Sequence, residues 1–312
     1  MNVIKYSIII PHYNTPSLLE RCVKSIPESD DFQIIVVDDN SPDSNRYVER
    51  YECLRRKNVI LVLLNEKHNA GYARNIGMQK ASGKWLLFSD SDDYFIPGFA
   101  NTLDKYYSLE EDIIFLGAKC VMAENLEQQS LRGKYSRIRR YQRDGDLLKL
   151  LYMYTEPWGK MYNREFVLRN NFRFDEIPVC NDQFFSIQTQ FSTKRIRVYD
   201  EPVYMYLSRK GSLSFGQKET LEKKKIRVRV GAKVFKFVQS KGYNVFPQPF
   251  TYFLLLSKSP FELLEYLKIL NEFKIPIVWA LLVALKTVLV DLCKKMLKKP
   301  KSDEVSVERK MI

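Results

Sequence analysis

Carboxylates gather at two points of this chain where they could hold a charged ligand. Asp38 and Asp39 close one apolar run and lead into Asn40 and Ser41, while Asp90, Asp92 and Asp93 close another. Five carboxylates brought to one crevice repel one another unless something positive occupies it. A hard divalent cation with oxygen ligands, Mn²⁺ or Mg²⁺, meets that need and bridges to substrate phosphates. A lone aspartate at a strand end serves well enough as a helix cap or turn former; three within four residues have no such use. The common phosphate cradles are missing, since neither a Gly-x-x-x-x-Gly-Lys-Ser/Thr loop nor a Gly-x-Gly-x-x-Gly turn is present. Diphosphate charge must then be met by the metal and by side chains, for which Arg74 is a candidate.

Composition narrows the chemistry further. Two histidines, His12 and His68, leave no room for a histidine-rich metal site or a histidine triad. The five cysteines are scattered without a close pair, which argues against a zinc site or a disulfide framework and fits a reducing compartment. The apolar opening at 3–10 is short and lacks a small-residue cleavage site, so a cytoplasmic location is expected. The net charge of +13 is unevenly spread. Residues 1–117 hold 13 basic and 17 acidic side chains, and the remainder 37 basic and 20 acidic. A basic second half suits nucleic acid or an anionic membrane equally.

These side chains need elements to carry them. Apolar, β-branched runs at 6–11, 32–38, 59–64, 84–89 and 112–116 alternate with helical stretches at 17–25, 44–55, 73–81 and 98–107. That alternation predicts an α/β fold with a mostly parallel sheet and helices on both faces. Ligands of such sheets sit beyond the carboxyl ends of the strands, where both aspartate clusters fall. A polar connection at 118–145 leads to a mixed region, a basic helix at 218–241 and a helical end. The expected organisation is a nucleotide-binding half at 1–117, an acceptor half at 118–216 and a helical region at 217–312.

In order along the chain stand Ser7-Ile8-Ile9-Ile10-Pro11-His12-Tyr13-Asn14, Val37-Asp38-Asp39-Asn40-Ser41, Asn69-Ala70-Gly71 through Ala73-Arg74-Asn75-Ile76-Gly77, and Asp90-Ser91-Asp92-Asp93. Together they resemble the family 2 glycosyltransferases, inverting enzymes of the GT-A fold, over about the first 117 residues. The resemblance implies a nucleotide-sugar donor, UDP-linked, with Pro11, Tyr13 and Asn14 around the base and Asp39 bonded to it. It implies Asp38 as support for that pocket and Arg74 and Asn75 against the donor. It further implies a metal-binding cluster of Asp90, Asp92 and Asp93, with Asp93 the direct ligand and Asp92 near ribose or metal. His12 falls at a variable position and is assigned no role.

Inversion calls for a base opposite the departing nucleotide. Where family members carry Glu-Asp this chain has Asn181-Asp182, and Asp182 is the expected base. Loss of the acidic neighbour should lower its pKa slightly. Trp158 and Lys160, in a segment resembling the family's Trp-x-Lys, are expected on the acceptor side, and Arg209 in a segment closing over the donor diphosphate. The acceptor implied is a glycan or polyprenyl-diphosphate-linked oligosaccharide of a surface polysaccharide. Residues 275–293 are apolar for eleven positions, then carry Lys286 and Asp291, and are followed by Lys294, Lys295, Lys298, Lys299 and Lys301. Two charges make a membrane span costly. The pattern suits an interfacial anchor over 275–299 on anionic lipid at the inner face of the plasma membrane, with a buried helix as the alternative and a flexible tail at 300–312. A non-catalytic nucleotide-sugar-binding or scaffold protein would predict a broken metal cluster or a lost base. A nucleotidyltransferase is opposed by the absent basic glycine-rich loop, and a nucleic-acid partner by the acidic crevice.

Overall fold

The computed structural model describes residues 3–42, 49–122, 125–129, 137–208, 220–243 and 259–278, with isolated positions from 280 to 289. Its centre is a seven-stranded sheet. β1 (Tyr6–His12) lies between β2 (Phe32–Asp38) and β4 (Trp85–Phe88), parallel to both. β3 (Val59–Leu63) completes that edge, again parallel. On the other side β9 (Lys160–Asn163) runs antiparallel between β4 and β6 (Ile113–Phe115), and β10 (Ile196–Val198) closes the order β10-β6-β9-β4-β1-β2-β3. Every residue of β1 and β2 is buried, whereas β3 is half-exposed. Continuous apolar runs therefore became interior strands, as a sheet covered on both faces requires.

The topology settles the distance between the two acidic clusters. β2 and β4 flank β1, so their carboxyl ends stand two strand spacings apart, roughly 10 Å. Helix α1 (Pro16–Lys24) follows β1, α2 (Ala70–Lys80) packs on β1 and β2, and α3 (Phe99–Tyr106) precedes β6. In the stretch 44–55 the described residues are helical at 49–50, break at Tyr51 and end in a 3-10 turn at Glu52–Arg55. A second sheet, in the order β5-β11-β7-β8, joins β5 (Tyr94–Phe95), β11 (Tyr204–Ser208), β7 (Ala118–Met122) and β8 (Asn125–Gln129). It brings the end of the second half beneath the acidic cluster, which no local pattern announced.

The second half also contributes α4 (Arg137–Asp144), α5 (Leu147–Met153), α6 (Arg164–Arg169) and α7 (Gln183–Gln190). Two further helices, α8 (Leu221–Ser240) and α9 (Pro260–Glu272), pack on each other, and α8 packs on α7. Lys224 pairs with Glu262 at 2.7 Å, Lys225 with Glu265 at 3.2 Å, and Arg229 with Glu272 at 2.5 Å. Much of the basic helix expected to face an anionic partner is thus matched within the chain.

Candidate active site

The end of β1 and the Asp38 turn build one wall of the crevice. Asp38 is fully buried, its Oδ1 accepting the Ser41 N–H at 2.8 Å and its Oδ2 the Ser41 hydroxyl at 2.7 Å. The same Oδ2 lies 2.6 Å from His12 Nδ1. His12 Nε2 accepts the Thr15 N–H at 3.1 Å, so the ring proton sits on Nδ1 and is donated to Asp38. His12, given no role from sequence, is therefore the strut that ties Asp38 to the start of α1. Asn14 adopts φ 51° and donates its N–H to Ser41 Oγ at 2.7 Å. Pro11 is buried at the strand end and Tyr13 is exposed, with Lys67 Nζ 3.5 Å from its ring centroid. Asp39 is largely buried and accepts the His68 N–H at 2.8 Å.

The three aspartates of the second cluster sit in unequal surroundings. Asp93 is 1% exposed, with Oδ2 accepting the Tyr204 hydroxyl and Oδ1 the Leu207 N–H, each at 2.8 Å. A carboxylate so enclosed braces β11, with both of its oxygens engaged by groups of the second sheet. Burial pushes its pKa well up, and the charges of Asp90 and Asp92 push it further. Tyr204 also accepts the Asp90 N–H at 2.9 Å, so one phenol orders both ends of the motif. Asp90 is half-buried, with Oδ1 2.5 Å from Arg74 Nη2. Asp92 is half-buried as well, and its carbonyl accepts Arg21 Nη2 at 2.6 Å. Among the described residues no three ligating side chains converge as a metal cage. Asp90 and Asp92 fit the other mode, in which one or two carboxylates hold a cation whose remaining sites go to water and substrate phosphate.

Arg74 and Asn75, expected against the donor, are engaged within the chain. Arg74 is 4% exposed, and its guanidinium bridges Asp90 Oδ1 to Asn181 Oδ1 at 2.8 Å. Asn75 is buried, donating to the Phe174 carbonyl at 3.0 Å and Glu176 Oε1 at 2.9 Å, while its Oδ1 accepts the Phe174 N–H. Gly71 allows the same approach: a Cβ there would stand 2.1 Å from the Asp175 carbonyl oxygen. Gly77 lets α2 lie on Ile9, where a Cβ would meet the side chain at 2.4 Å. The Asn69–Gly77 stretch is thus a platform under the loop at 174–182, joining it to the acidic cluster.

That loop delivers Asp182. It stands at the N-cap position of α7 but makes no capping bond, so the simple structural explanation for an aspartate here fails. Burial pushes its pKa up to about 6; Arg74 pulls it down, and the charges of Asp90 and Glu156 add to the rise. The small lowering expected from the missing acidic neighbour is outweighed by desolvation. Trp158 and Lys160, expected on the acceptor side, are both buried. Trp158 stacks with Tyr204 and Tyr206 at centroid distances of 5.3 and 5.6 Å. Lys160 donates to the carbonyls of Tyr154 and Glu156 and to Gln190 Oε1 at 2.7–2.8 Å. Its ammonium is enclosed, so burial drives its pKa well down. Arg209 lies outside the described residues.

A profile described as glycosyl transferase family 2 matches residues 7–182, more than half of the chain. The chain belongs to that family. The matched stretch runs from β1 to Asp182 and so spans both walls just described. Poly(ribitol-phosphate) beta-N-acetylglucosaminyltransferase TarS of Staphylococcus aureus is 27% identical over 220 residues, 67% of this chain and 36% of the relative. A GalNAc(5)-diNAcBac-PP-undecaprenol beta-1,3-glucosyltransferase of Campylobacter jejuni is 37% identical over 103 residues, 32% of this chain and 33% of the relative. This family 2 member therefore spans about a third of the length of either relative. The crystal structure of S. aureus TarS 1–349 in complex with UDP-GlcNAc superposes with a TM-score of 0.64 at 21% identity, covering 86% of this chain and 80% of that one. The family and this superposition agree on the GT-A fold.

Proposed function

We propose that the chain transfers a sugar, with inversion, from a UDP-sugar to a hydroxyl of a glycan or polyprenyl-diphosphate-linked acceptor in surface polysaccharide synthesis. The observation that carries the reading is Asp182, an uncapped carboxyl with a pKa of about 6 whose neighbour Asn181 is tied to Asp90 by Arg74. A base with a pKa near the working pH combines the right protonation state with proton affinity. Asp182 takes the acceptor proton while the hydroxyl oxygen bonds the anomeric carbon and the nucleotide diphosphate leaves from the opposite face. Tyr13 and Asp39 hold the base of the nucleotide, with Asp38 and His12 fixing the turn beneath. A divalent cation at Asp90 and Asp92 would supply charge stabilisation to the departing diphosphate. The activities of the two relatives, one acting on a polyol phosphate and one on an undecaprenol-linked glycan, support the acceptor class. Screening UDP-sugars with Mn²⁺ and both acceptor types for UDP release tests the reading. No release from any combination would sink it in favour of a non-catalytic nucleotide-sugar binder.

The reaction is placed at an anionic membrane surface. Among the described residues no helix is long and apolar enough to cross a membrane. Val278, Leu282, Leu285 and Leu289 recur at helical spacing and are 72%, 61%, 51% and 61% exposed, while Ile275 and Ala280 face the core. Residues 290–299 lie outside the described set, but the lysines there follow this stripe directly in sequence. An apolar face with adjoining cations suits the lipid interface. Replacing the four exposed residues with serine should release the protein from phosphatidylserine vesicles; unchanged sedimentation would refute the placement.

A further inference from the structure

The loop that carries Asp182 is held from two sides, and only one of them belongs to the stretch matched by the family. Beneath it are Gly71, Arg74 and Asn75 of α2. Above it is α8, at Leu221–Ser240, beyond the matched residues 7–182. Lys233 of α8 reaches both ends of the loop at once. Its Nζ lies 2.6 Å from Asp175 Oδ1, seven residues before Asp182, and 3.7 Å from the ring centroid of Phe184, two residues after it. Phe184 meets Phe237 of the same helix edge-on at 5.5 Å. Between these ends Cys180 adopts φ 58°, and its Sγ accepts Arg227 Nη1 at 3.1 Å. The loop closes on itself where the Asp175 N–H meets the Asn181 carbonyl at 3.1 Å. Displacing Asp175 therefore displaces Asn181 and the base beside it.

We infer that Lys233 is a positioning residue, clamping the 175–184 loop against α2 so that Asp182 faces the acceptor side of the crevice. The inference rests on the transfer reaction proposed above. The pair is partly exposed, with side-chain exposures of 36% for Lys233 and 19% for Asp175. Such pairs contribute little to global stability, so the effect belongs in the geometry of the base and not in the folding equilibrium. α8 is itself supported by α9, through the largely buried Lys224–Glu262 pair and the apolar contact of buried side chains such as Val228, Tyr266 and Leu270. The helical C-terminal region is on this account part of the catalytic apparatus, not an appendage to it.

The test compares Lys233→Met, Lys233→Arg and the exposed control Lys236→Met in the full chain. Amide hydrogen exchange should quicken at 175–184 in Lys233→Met and stay unchanged at 85–93. Displacing a catalytic group by about an ångström costs up to about a hundredfold in rate, so a drop in kcat of about tenfold is expected. KM for the UDP-sugar and the affinity for UDP should hold within about twofold, with partial rescue by Lys233→Arg. Unaltered loop exchange, or a kcat no lower than in Lys236→Met, overturns the inference. So does a parallel loss of kcat, UDP affinity and Tm, which would mark general damage. Asp182→Asn run alongside separates the two claims. If it still transfers sugar the base assignment falls, while loop exchange in Lys233→Met continues to report on the clamp.

Discussion

Replacing Asp182 with asparagine should stabilise the protein while destroying its activity, and the two effects have one cause. A carboxyl moved from an ordinary 3.8 to about 6 by burial corresponds to about 3 kcal/mol of unfavourable free energy for the charged form. The sign follows from proton binding. Between pH 3.8 and 6 the folded state holds more protons at this site than the unfolded chain, so stability declines as pH rises through that window. Above it the charged Asp182 costs the fold the full amount. Asparagine removes the charge but leaves an amide to be desolvated, so a gain of about 1–3 kcal/mol at pH 7–8 is expected, or about 2–6 °C in Tm. Transfer should fall by about 10²–10⁴-fold, the usual contribution of a positioned base. Wild-type kcat/KM should decline tenfold per pH unit well below pH 6, because burial raises the pKa of Asp182 to about 6 and the protonated carboxyl cannot act as the base there. Calorimetry of both proteins from pH 4 to 8, with single-turnover kinetics, checks this. A lower Tm for the variant at pH 8, or a stability difference that does not shrink toward pH 4, would refute the burial argument.

Three further outcomes follow from the packing around the site. Gly71→Ala places a methyl against the Asp175 carbonyl oxygen, a backbone atom 2.1 Å away, so the base loop must shift. Transfer should fall by about a hundredfold while calorimetry shows UDP affinity near wild type. Arg74→Met removes the hydrogen bonds to half-buried Asp90 and to Asn181 and should cost about 1–3 kcal/mol in chemical denaturation, whereas the exposed Arg50→Met should cost nothing measurable. Asp92→Asn should abolish the Mn²⁺ enhancement of UDP binding, and Asp93→Asn should leave it within a few-fold; the reverse pattern would restore Asp93 as the ligand.

The sequence by itself determined the doubly covered sheet. The apolar runs that became β1, β2 and β4 leave no polar face for water, so helices had to cover both sides. It also located both aspartate clusters at strand ends and Asp182 in the second half, because those depend on residue type and local order alone. Tertiary structure decided what each side chain does there. Asp93 is a brace because Tyr204, more than a hundred residues away, meets it from a second sheet. Arg74 and Asn75 face the loop at 174–182 because Gly71 lets that loop approach. Trp158 and Lys160 turn inward onto Tyr204, Tyr206 and Gln190, contacts that no spacing encodes. His12 acquires its part only when β2 brings Asp38 alongside β1. Residue types set which chemistry was available; burial and long-range pairing, which depend on the whole fold, decided which side chains are committed within the chain.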